Sequence, residues 1–243
     1  MGEPDGRPAF YALSPGGWRD YWSLLHPPYT AWHLSYVVIG ACVAPTVDGG
    51  WLVETLLAFF LAMGLAAHAL DELNGRPLRT RIPDRVLWAI AVVGLAGAIA
   101  LGIHGTVVIS PWLWAFIVAG GFLVVAYNLE LFGGAFHSDL WFALAWGAFP
   151  ALTAYFAQTA TLRIEAVLVA AGCAAISAAQ RVLSTPVRRL RRSVASVSGE
   201  LVTAEGDREA LDASSLRDAP EGALRWLSIA VPLIAVGLLV ARI

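Results

Sequence analysis

The sequence is poor in charged residues. Only 14% of its 243 residues are charged, whereas 58% are hydrophobic, and the mean hydropathy is +0.67. Because a soluble globular domain has about 25% charged residues, this composition excludes that class and indicates a membrane protein. The net charge of −2 gives no reason to expect a nucleic-acid partner.

Cysteine is scarce and lysine is absent. The two cysteines, Cys42 and Cys173, both lie in apolar stretches, which favours buried free thiols over a disulfide scaffold. All 16 basic residues are arginines, and nothing in the sequence explains that choice. Residues 1–17 lack the apolar core of a cleavable signal peptide, so we expect the first spanning helix to act as the insertion signal.

Long apolar stretches dominate the rest of the chain. They cover residues 29–47, 51–72, 86–104, 107–127, 138–158, 163–184 and 226–243. A helix needs about 20 residues to cross the hydrocarbon core, and only helices satisfy the backbone of such segments in lipid. The sequence therefore predicts an all-α, polytopic transmembrane bundle with about seven spans and a lipid bilayer as its surroundings.

Four regions follow from this layout. Residues 1–28 are expected to form an N-terminal cytoplasmic or interfacial segment, with a short interfacial helix near 18–29. Residues 29–184 form a six-span bundle with an inward-facing cavity, and residues 226–243 form the seventh span. Residues 185–225 begin with an arginine-rich stretch of helical character and continue as an acidic one. This region is either a cap over the bundle or a connector anchored by anionic lipid.

Arginine is distributed unevenly across the predicted membrane. With the N-terminus inside, the inner segments hold most of the arginines, while the outer turns hold only Arg163 and Arg242 lies near the outer end of the chain. Basic residues are enriched on the cytoplasmic side of membrane proteins. We therefore predict an integral protein of a bacterial-type plasma membrane, with a cytoplasmic N-terminus and the C-terminus outside.

Several polar groups fall at a similar depth on the predicted inner side. His68, Asp71 and Glu72 end the second span at spacings that place them on one helix face. The other groups are Tyr127, Asn128 and Glu130 after the fourth span, His137, Ser138 and Asp139 before the fifth, and Gln180, Arg181, Ser184 and Thr185 at the end of the sixth. Ionisable groups within a bilayer usually face a cavity, a metal or water, so we expect these groups to surround one inward-facing pocket.

This layout resembles the UbiA superfamily of intramembrane prenyltransferases over about residues 21–192. In that family an Asn-Asp-x-x-Asp-x-x-x-Asp motif ends the second helix, a Tyr-x-x-x-Lys-like element follows the fourth, and a second Asp-rich motif ends the sixth. Asp71 matches the middle aspartate, Tyr127 matches the tyrosine, and residues 79–83 resemble the basic loop after the first motif. The resemblance implies a UbiA-like fold and an enzyme that transfers an isoprenoid from its diphosphate, with carboxylates holding magnesium.

The sequence departs from the family pattern at both motifs. Ala67, His68 and Gly75 stand at the other three positions of the first motif, and Leu131 stands where a lysine is expected. Gln180, Arg181, Ser184 and Thr185 replace the second Asp-rich motif. The family usually has about nine spans and seven are predicted here, so we expect a C-terminal pair to be missing. These departures remove the second carboxylate cluster that would hold magnesium on the diphosphate.

The resemblance and the residue types together predict roles for the polar groups. The predicted catalytic residues are His68, Asp71, Glu72 and Tyr127, and the predicted substrate-binding residues are Asn128, Arg76, Arg181, Arg188 and Ser184. The guanidinium groups of Arg181 and Arg188 are suited to phosphate. The candidate metal ligands are His68, Asp71, Glu72, Glu130, His137 and Asp139. Magnesium is the divalent metal that the resemblance implies, whereas a mixture of histidine and carboxylate suits zinc, manganese or iron better.

Two other functions remain open. The alternatives to the transferase are a membrane metalloenzyme on the same fold and a non-catalytic lipid-binding or assembly protein. Several of the predicted site residues also have a possible structural role instead of a catalytic or binding one. Ser138 and Asp139 are good helix caps, Glu130 is suited to a solvated loop, and Arg181 is able to reach lipid headgroups. His33 and Tyr36 lie about one helical turn apart in the first span; a core role is favoured for them, and the alternative is that they line the same cavity.

Overall fold

The computed structural model describes residues 7–242 and is mostly helical. The helices of more than one turn are α1 (Trp18–Leu24), α2 (Pro27–Val43), α3 (Gly49–Leu73), α4 (Asp84–Val108), α5 (Leu113–Asn128), α6 (Asp139–Thr159), α7 (Ile164–Arg192) and α8 (Ala213–Val240). A single helical turn, Leu131–Gly134, lies between α5 and α6. Strands β1 (Gly199–Val202) and β2 (Arg208–Leu211) pair as one antiparallel hairpin, with Gly199 opposite Leu211. The all-α prediction did not include this hairpin.

Five helices are long and apolar enough to cross a membrane. They are α3, α4, α6, α7 and α8, with 25, 25, 21, 29 and 28 residues. The structure also has helices at the other two predicted spans, but α2 has 17 residues and α5 has 16. Since about 20 residues are needed to cross the hydrocarbon core, the structure confirms apolar helices of spanning length, and the count of seven spans stays a prediction.

Helices α7 and α8 extend farther than the predicted sixth and seventh spans. Helix α7 continues through Pro186 to Arg192, and this extension packs the buried side chain of Val187. Helix α8 begins at Ala213, where the side chain of Asp212 accepts a hydrogen bond from the amide of Ser215 in a capping box. Two helix extensions and the hairpin therefore account for most of residues 185–225.

Glycine allows α6 to lie very close to two neighbouring helices. A Cβ atom on Gly40 of α2 would lie 2.1 Å from the carbonyl oxygen of Ala151 in α6. A Cβ atom on Gly147 of α6 would lie 2.7 Å from the carbonyl oxygen of Cys173 in α7. Small residues at such positions are typical of helices that pack through their backbones in membranes, and here they place α6 between α2 and α7.

Two helices change from α-helical to π-helical geometry near one end of the bundle. The π-helical segments are Phe60–Ala67 in α3 and Ala143–Ala148 in α6. A π-helical turn holds more residues than an α-helical turn, and such turns often occur at functional sites. The first segment ends directly before His68, and the second begins about one turn after Asp139.

The N-terminal residues cover the same end of the bundle. Nε of Arg192 donates a hydrogen bond of 3.2 Å to the carbonyl of Pro8, and the guanidinium of Arg225 lies 5.0 Å from the centre of the Phe10 ring. The amide of Leu13 donates to the hydroxyl of Ser23 in α1 at 3.0 Å. These contacts attach the N-terminal segment to α1, α7 and α8.

Candidate functional site

A cavity of about 340 Å³ lies where α3, α5 and α7 end and α2 and α6 begin. Its wall also includes residues 8–11 of the N-terminal segment. Nine of the twelve predicted site residues line it: His68, Asp71, Tyr127, Asn128, Glu130, His137, Arg181, Ser184 and Arg188. The polar groups at the ends of separate helices therefore meet at one cavity, as the sequence predicts.

Helix α3 contributes His68 and Asp71 to the cavity. Nδ1 of His68 lies 3.1 Å from the carbonyl oxygen of Gly64, within the π-helical segment. Because a carbonyl only accepts hydrogen bonds, the neutral ring carries its hydrogen on Nδ1 and leaves Nε2 unprotonated. The ring of His68 stacks on that of His26, with centroids 4.2 Å apart and planes at 13°.

The stacked ring of His26 joins α3 to the N-terminal wall. Nδ1 of His26 lies 3.0 Å from the hydroxyl of Tyr11. Burial lowers the pKa of His26 well below its usual range, and the nearby His68, Arg192 and Arg188 lower it further. Burial also raises the pKa of the Tyr11 hydroxyl, with a smaller contribution from Tyr29. Both groups are therefore neutral near pH 7.

The end of α5 contributes Tyr127 and Asn128. The ring of Tyr127 stacks on that of His137 at 4.5 Å, and Nδ1 of His137 lies 3.0 Å from the carbonyl oxygen of Tyr127. The side chain of Asn128 donates to the carbonyl of Val124 at 2.7 Å, while its own carbonyl accepts from Asn74 at 3.2 Å. Asn128 thus has a structural role in joining α5 to the loop after α3.

The end of α7 provides the positive charge. Arg181, Arg188 and Arg192 all line the cavity. Nε of Arg181 lies 2.8 Å from a carboxylate oxygen of Asp139, whose side chain is 70% exposed. Arg188 and Arg192 are four residues apart and share one face of the helix. Arg192 donates to the Pro8 carbonyl, and Arg188 lies 3.5 Å from the Thr185 hydroxyl.

Three buried polar atoms in the cavity wall have no hydrogen-bond partner among the residues that the structure describes. They are Nε2 of His26, the hydroxyl of Tyr127 and Oε1 of Gln180. Buried polar groups are nearly always hydrogen-bonded, and leaving one unpaired costs about 1–3 kcal/mol. Their concentration at this cavity supports a polar ligand that completes their hydrogen bonds.

Three predicted site residues do not line the cavity. Glu72 is fully buried, and its two carboxylate oxygens accept from the amides of Leu78 and Thr80 at 3.0 and 2.8 Å. Arg76 forms an ion pair with Asp84 and donates to the carbonyl of Ile82 at 2.7 Å. These contacts satisfy backbone groups and charges in the loop after α3, so Glu72 and Arg76 have structural roles.

Asp139 is the third residue outside the cavity lining. Its carboxylate pairs with Arg181 at the edge of the bundle, and Asp139 is the first residue of α6, for which Ser138 is the N-cap. The hydroxyl of Ser138 accepts from the amide of Trp141 at 3.3 Å. The capping role considered for Ser138 therefore agrees with the structure.

The carboxylates of the cavity do not form a metal cluster. Within the part of the chain that the structure describes, no group of three or more histidine, cysteine, aspartate or glutamate side chains is arranged to hold a metal ion. Asp71 and Glu130 line the cavity, whereas Glu72 and Asp139 are held by other partners. The donor set therefore does not fit the pair of carboxylate clusters that the family resemblance implies.

Three residues in the cavity wall have little or no signal in the sequence. Tyr11 lies in a segment rich in glycine and proline, which has no pattern that predicts a buried position. His26 falls within the predicted interfacial helix, and for His33 a core role is favoured over a place in the cavity wall. His33 is buried, yet it lines the cavity. A histidine within an apolar stretch was the available signal, because a buried imidazole needs a polar partner.

An apolar groove of about 120 Å³ adjoins the polar cavity. It is lined by side chains of α3, α4, α5 and α6, among them Leu95, Phe116 and Phe149. Met63 and Trp146 line both the groove and the cavity. The two spaces are therefore neighbours, one lined by arginine and histidine and the other by hydrocarbon.

The fold and this cavity define a helical protein with apolar helices of membrane-spanning length and a polar cavity at one end of the bundle. Comparisons with models of protein families, with curated proteins and with solved structures found no match. The resemblance to the UbiA superfamily therefore stays a prediction, and the function is inferred below from the chemistry of the cavity.

Proposed function

We propose that the chain is a membrane-embedded, UbiA-like transferase that acts on an isoprenoid diphosphate. The observation that carries this proposal is the contact between an arginine-lined cavity and an apolar groove at Met63 and Trp146. An isoprenoid diphosphate has the matching division into an anionic head and a hydrocarbon tail. Burial of the tail is favourable by about 25 cal/mol per Å², and the head pairs with the guanidinium groups.

Arg188 and Arg192 are the proposed ligands of the diphosphate. A guanidinium donates several hydrogen bonds in a planar fork that matches phosphate oxygens. Arg181 is less suited to this role, because its charge is already paired with Asp139. The hydroxyl of Tyr127 is protonated at neutral pH and has no partner among the described residues, so it adds a further donor to the same group.

The reacting carbon of the isoprenoid is placed beside Trp146, between head and tail. When the bond between C1 and the diphosphate oxygen breaks, its electron pair leaves with the diphosphate and C1 becomes an allylic cation. Tyr127 and Trp146 lie with ring centroids 5.7 Å apart at this junction. Aromatic faces attract cations, and the guanidinium groups stabilise the negative charge of the leaving group.

Of the predicted magnesium ligands, this proposal keeps only the carboxylate of Asp71. Magnesium is usually bound by one or two carboxylates together with substrate phosphates and water, so one carboxylate in the cavity is compatible with an ion that arrives with the diphosphate. Such an ion would neutralise part of the phosphate charge. Since the second carboxylate cluster is missing, we assign the main neutralisation of the diphosphate to the arginines.

The cavity is proposed to face the cytoplasm. The end of the bundle that holds it also holds Arg188, Arg189, Arg191 and Arg192 and the loop with Arg76 to Arg85. Basic residues favour the cytoplasmic side. We propose a bacterial-type plasma membrane with the N-terminus inside and the C-terminus outside, which gives the site access to water-soluble diphosphate products and reactants in the cytoplasm.

The test measures pyrophosphate release and product formation from allylic diphosphates of several chain lengths, with and without magnesium. We expect turnover, and we expect Arg188→Gln to raise KM for the diphosphate about 10- to 100-fold, since a hydrogen bond to a charged group contributes about 1.5–3 kcal/mol. Arg189→Gln is the matched control, because Arg189 is on the same helix but does not line the cavity.

Two results would replace the proposal by one of the alternatives. Diphosphate binding that depends on Arg188 but gives no turnover with any chain length or acceptor would identify a lipid-binding protein. Stoichiometric zinc, iron or manganese in the purified protein, measured by elemental analysis, would favour the metalloenzyme.

A further inference from the structure

Besides the arginines, which only donate hydrogen bonds, the cavity wall contains groups that accept them. We propose that it contains a subsite for a neutral nucleophile with an O–H or N–H group, and that His33 accepts the proton of that nucleophile. This inference rests on the proposed transferase function, which requires an acceptor for the isoprenoid. Arginines cannot bind the acceptor through its proton, because a guanidinium only donates hydrogen bonds.

His33 is held in one orientation and one tautomer. It lies in α2, is 5% exposed and lines the cavity. Its Nδ1 is 2.9 Å from the carbonyl oxygen of Trp146 in α6. A carbonyl has no hydrogen to donate, so the neutral ring must carry its hydrogen on Nδ1. The lone pair of Nε2 is then available to accept a proton or a hydrogen bond.

The sequence explains why the carbonyl of Trp146 accepts a hydrogen bond from His33. In an α-helix it would accept from the amide of the residue four positions later, but that residue is Pro150, which has no amide hydrogen. Trp146 also lies in the π-helical segment Ala143–Ala148. The carbonyl of Trp146 therefore lacks its usual α-helical donor and accepts from Nδ1 of His33, which holds the histidine ring in place.

Two other side chains of the same cavity each have a buried polar atom that lacks a hydrogen-bond partner in the described part of the chain. Tyr127 and Gln180 are 5% and 3% exposed, and each has a buried polar atom without a partner among the described residues. The Phe142 ring lies 5.8 Å from that of His33 and 6.2 Å from that of Tyr127. Gln180 lines the same cavity, and we assign its unpartnered Oε1 to a polar group of the acceptor.

This arrangement defines a balanced transfer step. The nucleophile forms a bond from its O or N atom to C1 of the isoprenoid, and the bond between C1 and the diphosphate oxygen breaks. The diphosphate leaves with that electron pair, and the proton of the nucleophile moves to Nε2 of His33. His33 is therefore a proposed catalytic residue that the resemblance to the UbiA superfamily does not supply.

The first test measures the tautomers of the five histidines by NMR of protein labelled with ¹⁵N in the imidazole rings, assigned by single His→Gln variants. We expect the directly bonded hydrogen of His33 on Nδ1. Phenol, added as a simple O–H donor, should shift the Nε2 resonance of His33. Anisole, which has the same ring without the hydroxyl hydrogen, should not. His104 is the internal control, because it pairs with Glu54 away from the cavity.

A second variant tests whether Trp146 sets the tautomer. Pro150→Ala supplies an amide hydrogen that competes for the Trp146 carbonyl, so the Nδ1–H form of His33 should lose population while the protein stays folded. A hydrogen on Nε2 in the parent protein, or equal shifts with phenol and anisole, would overturn the proposal.

Kinetics separate this inference from the proposed function. With an active acceptor, His33→Phe should lower kcat about 10²- to 10⁴-fold, the range for loss of a general base, and leave KM for the diphosphate unchanged. An unchanged kcat would overturn the role of His33 and leave the transferase standing. No turnover in the parent protein would remove the transferase, while the phenol and tautomer results would still decide whether the subsite exists.

Discussion

Arg191 and Glu221 form a buried, doubly hydrogen-bonded ion pair that joins the end of α7 to α8. Nε and Nη2 of the arginine lie 2.8 and 3.0 Å from the two carboxylate oxygens, and the side chains are 3% and 6% exposed. Arg225 donates to the same carboxylate at 2.7 Å and covers the ring of Phe10. The pair thus holds α8 against the N-terminal wall of the cavity.

We expect Glu221→Gln to destabilise the protein by about 3–5 kcal/mol, because it removes the buried carboxylate charge that Arg191 and Arg225 both contact. The measurement is the thermal unfolding midpoint in detergent. Glu200→Gln is the control, since Glu200 pairs with Arg208 on the exposed hairpin, with side chains 55% and 70% exposed. That variant should change stability by no more than about 1 kcal/mol. Equal midpoints for both variants would show that the buried pair does not hold the two helices together.

The sequence predicted the helices and the meeting of their polar ends well. Hydropathy located every long helix, and the positions of His68, Tyr127 and Arg181 at predicted helix ends were sufficient to bring them to one cavity. These predictions succeeded because they depend on local composition and on alternating helix direction. The hairpin at residues 199–211 was missed, since its strands are short and exposed.

The partners of individual side chains were harder to predict. Glu72 follows Asp71 directly and has the same charge, yet it accepts from two loop amides while Asp71 lines the cavity. The helical register separates the two by about 100°, and the fold of the following loop decides which one is used for backbone hydrogen bonds. The π-helical segments also shift the register, and no residue pattern identified them.

The close contact between α6 and α7 gives a second prediction. A Cβ atom on Gly147 would lie within 3 Å of backbone atoms of Cys173 and Ala174 and of the Ser177 hydroxyl. Since backbone atoms cannot move aside without displacing the helix, Gly147→Ala should destabilise the protein by about 1–3 kcal/mol. Gly172→Ala, with nothing within 4 Å of its Cβ position, should stabilise α7 by about 0.5–1 kcal/mol.

Thermal midpoints of the two glycine variants should therefore move in opposite directions. A normal midpoint for Gly147→Ala would mean that α6 and α7 are farther apart than the structure places them. The comparison is well matched, because both substitutions add one methyl group within a helix.

The lowered pKa of His26 predicts a dependence of stability on pH. Above about pH 6.5, the usual pKa of histidine, His26 is neutral in both the folded and the unfolded chain. Below that pH the unfolded chain binds a proton that the folded chain does not bind. Stability should therefore fall as the pH falls below about 6.5, by up to about 1.4 kcal/mol per pH unit from this residue.

The matched variant is His26→Asn, because asparagine tolerates the positive φ of 47° at this position. The difference between the unfolding midpoints of the parent and the variant should change between pH 7 and pH 5, with the parent losing more stability. Contributions of the other histidines cancel in that difference. Parallel midpoint curves would show that His26 is protonated as easily in the folded protein as in the unfolded chain.

The proposed orientation gives a prediction about chemical labelling in intact cells. Thr161 lies in the short turn before α7, and Ala204 lies between β1 and β2; both are exposed. If the cavity faces the cytoplasm, Thr161→Cys should react with a membrane-impermeant thiol reagent in intact cells, and Ala204→Cys should react only after the membrane is permeabilised. Cys42 and Cys173 are buried and free, so the parent protein is the control for background labelling. Labelling of Ala204→Cys in intact cells, with protection of Thr161→Cys, would reverse the orientation and place the arginines of α7 outside, where they could not receive a cytoplasmic diphosphate.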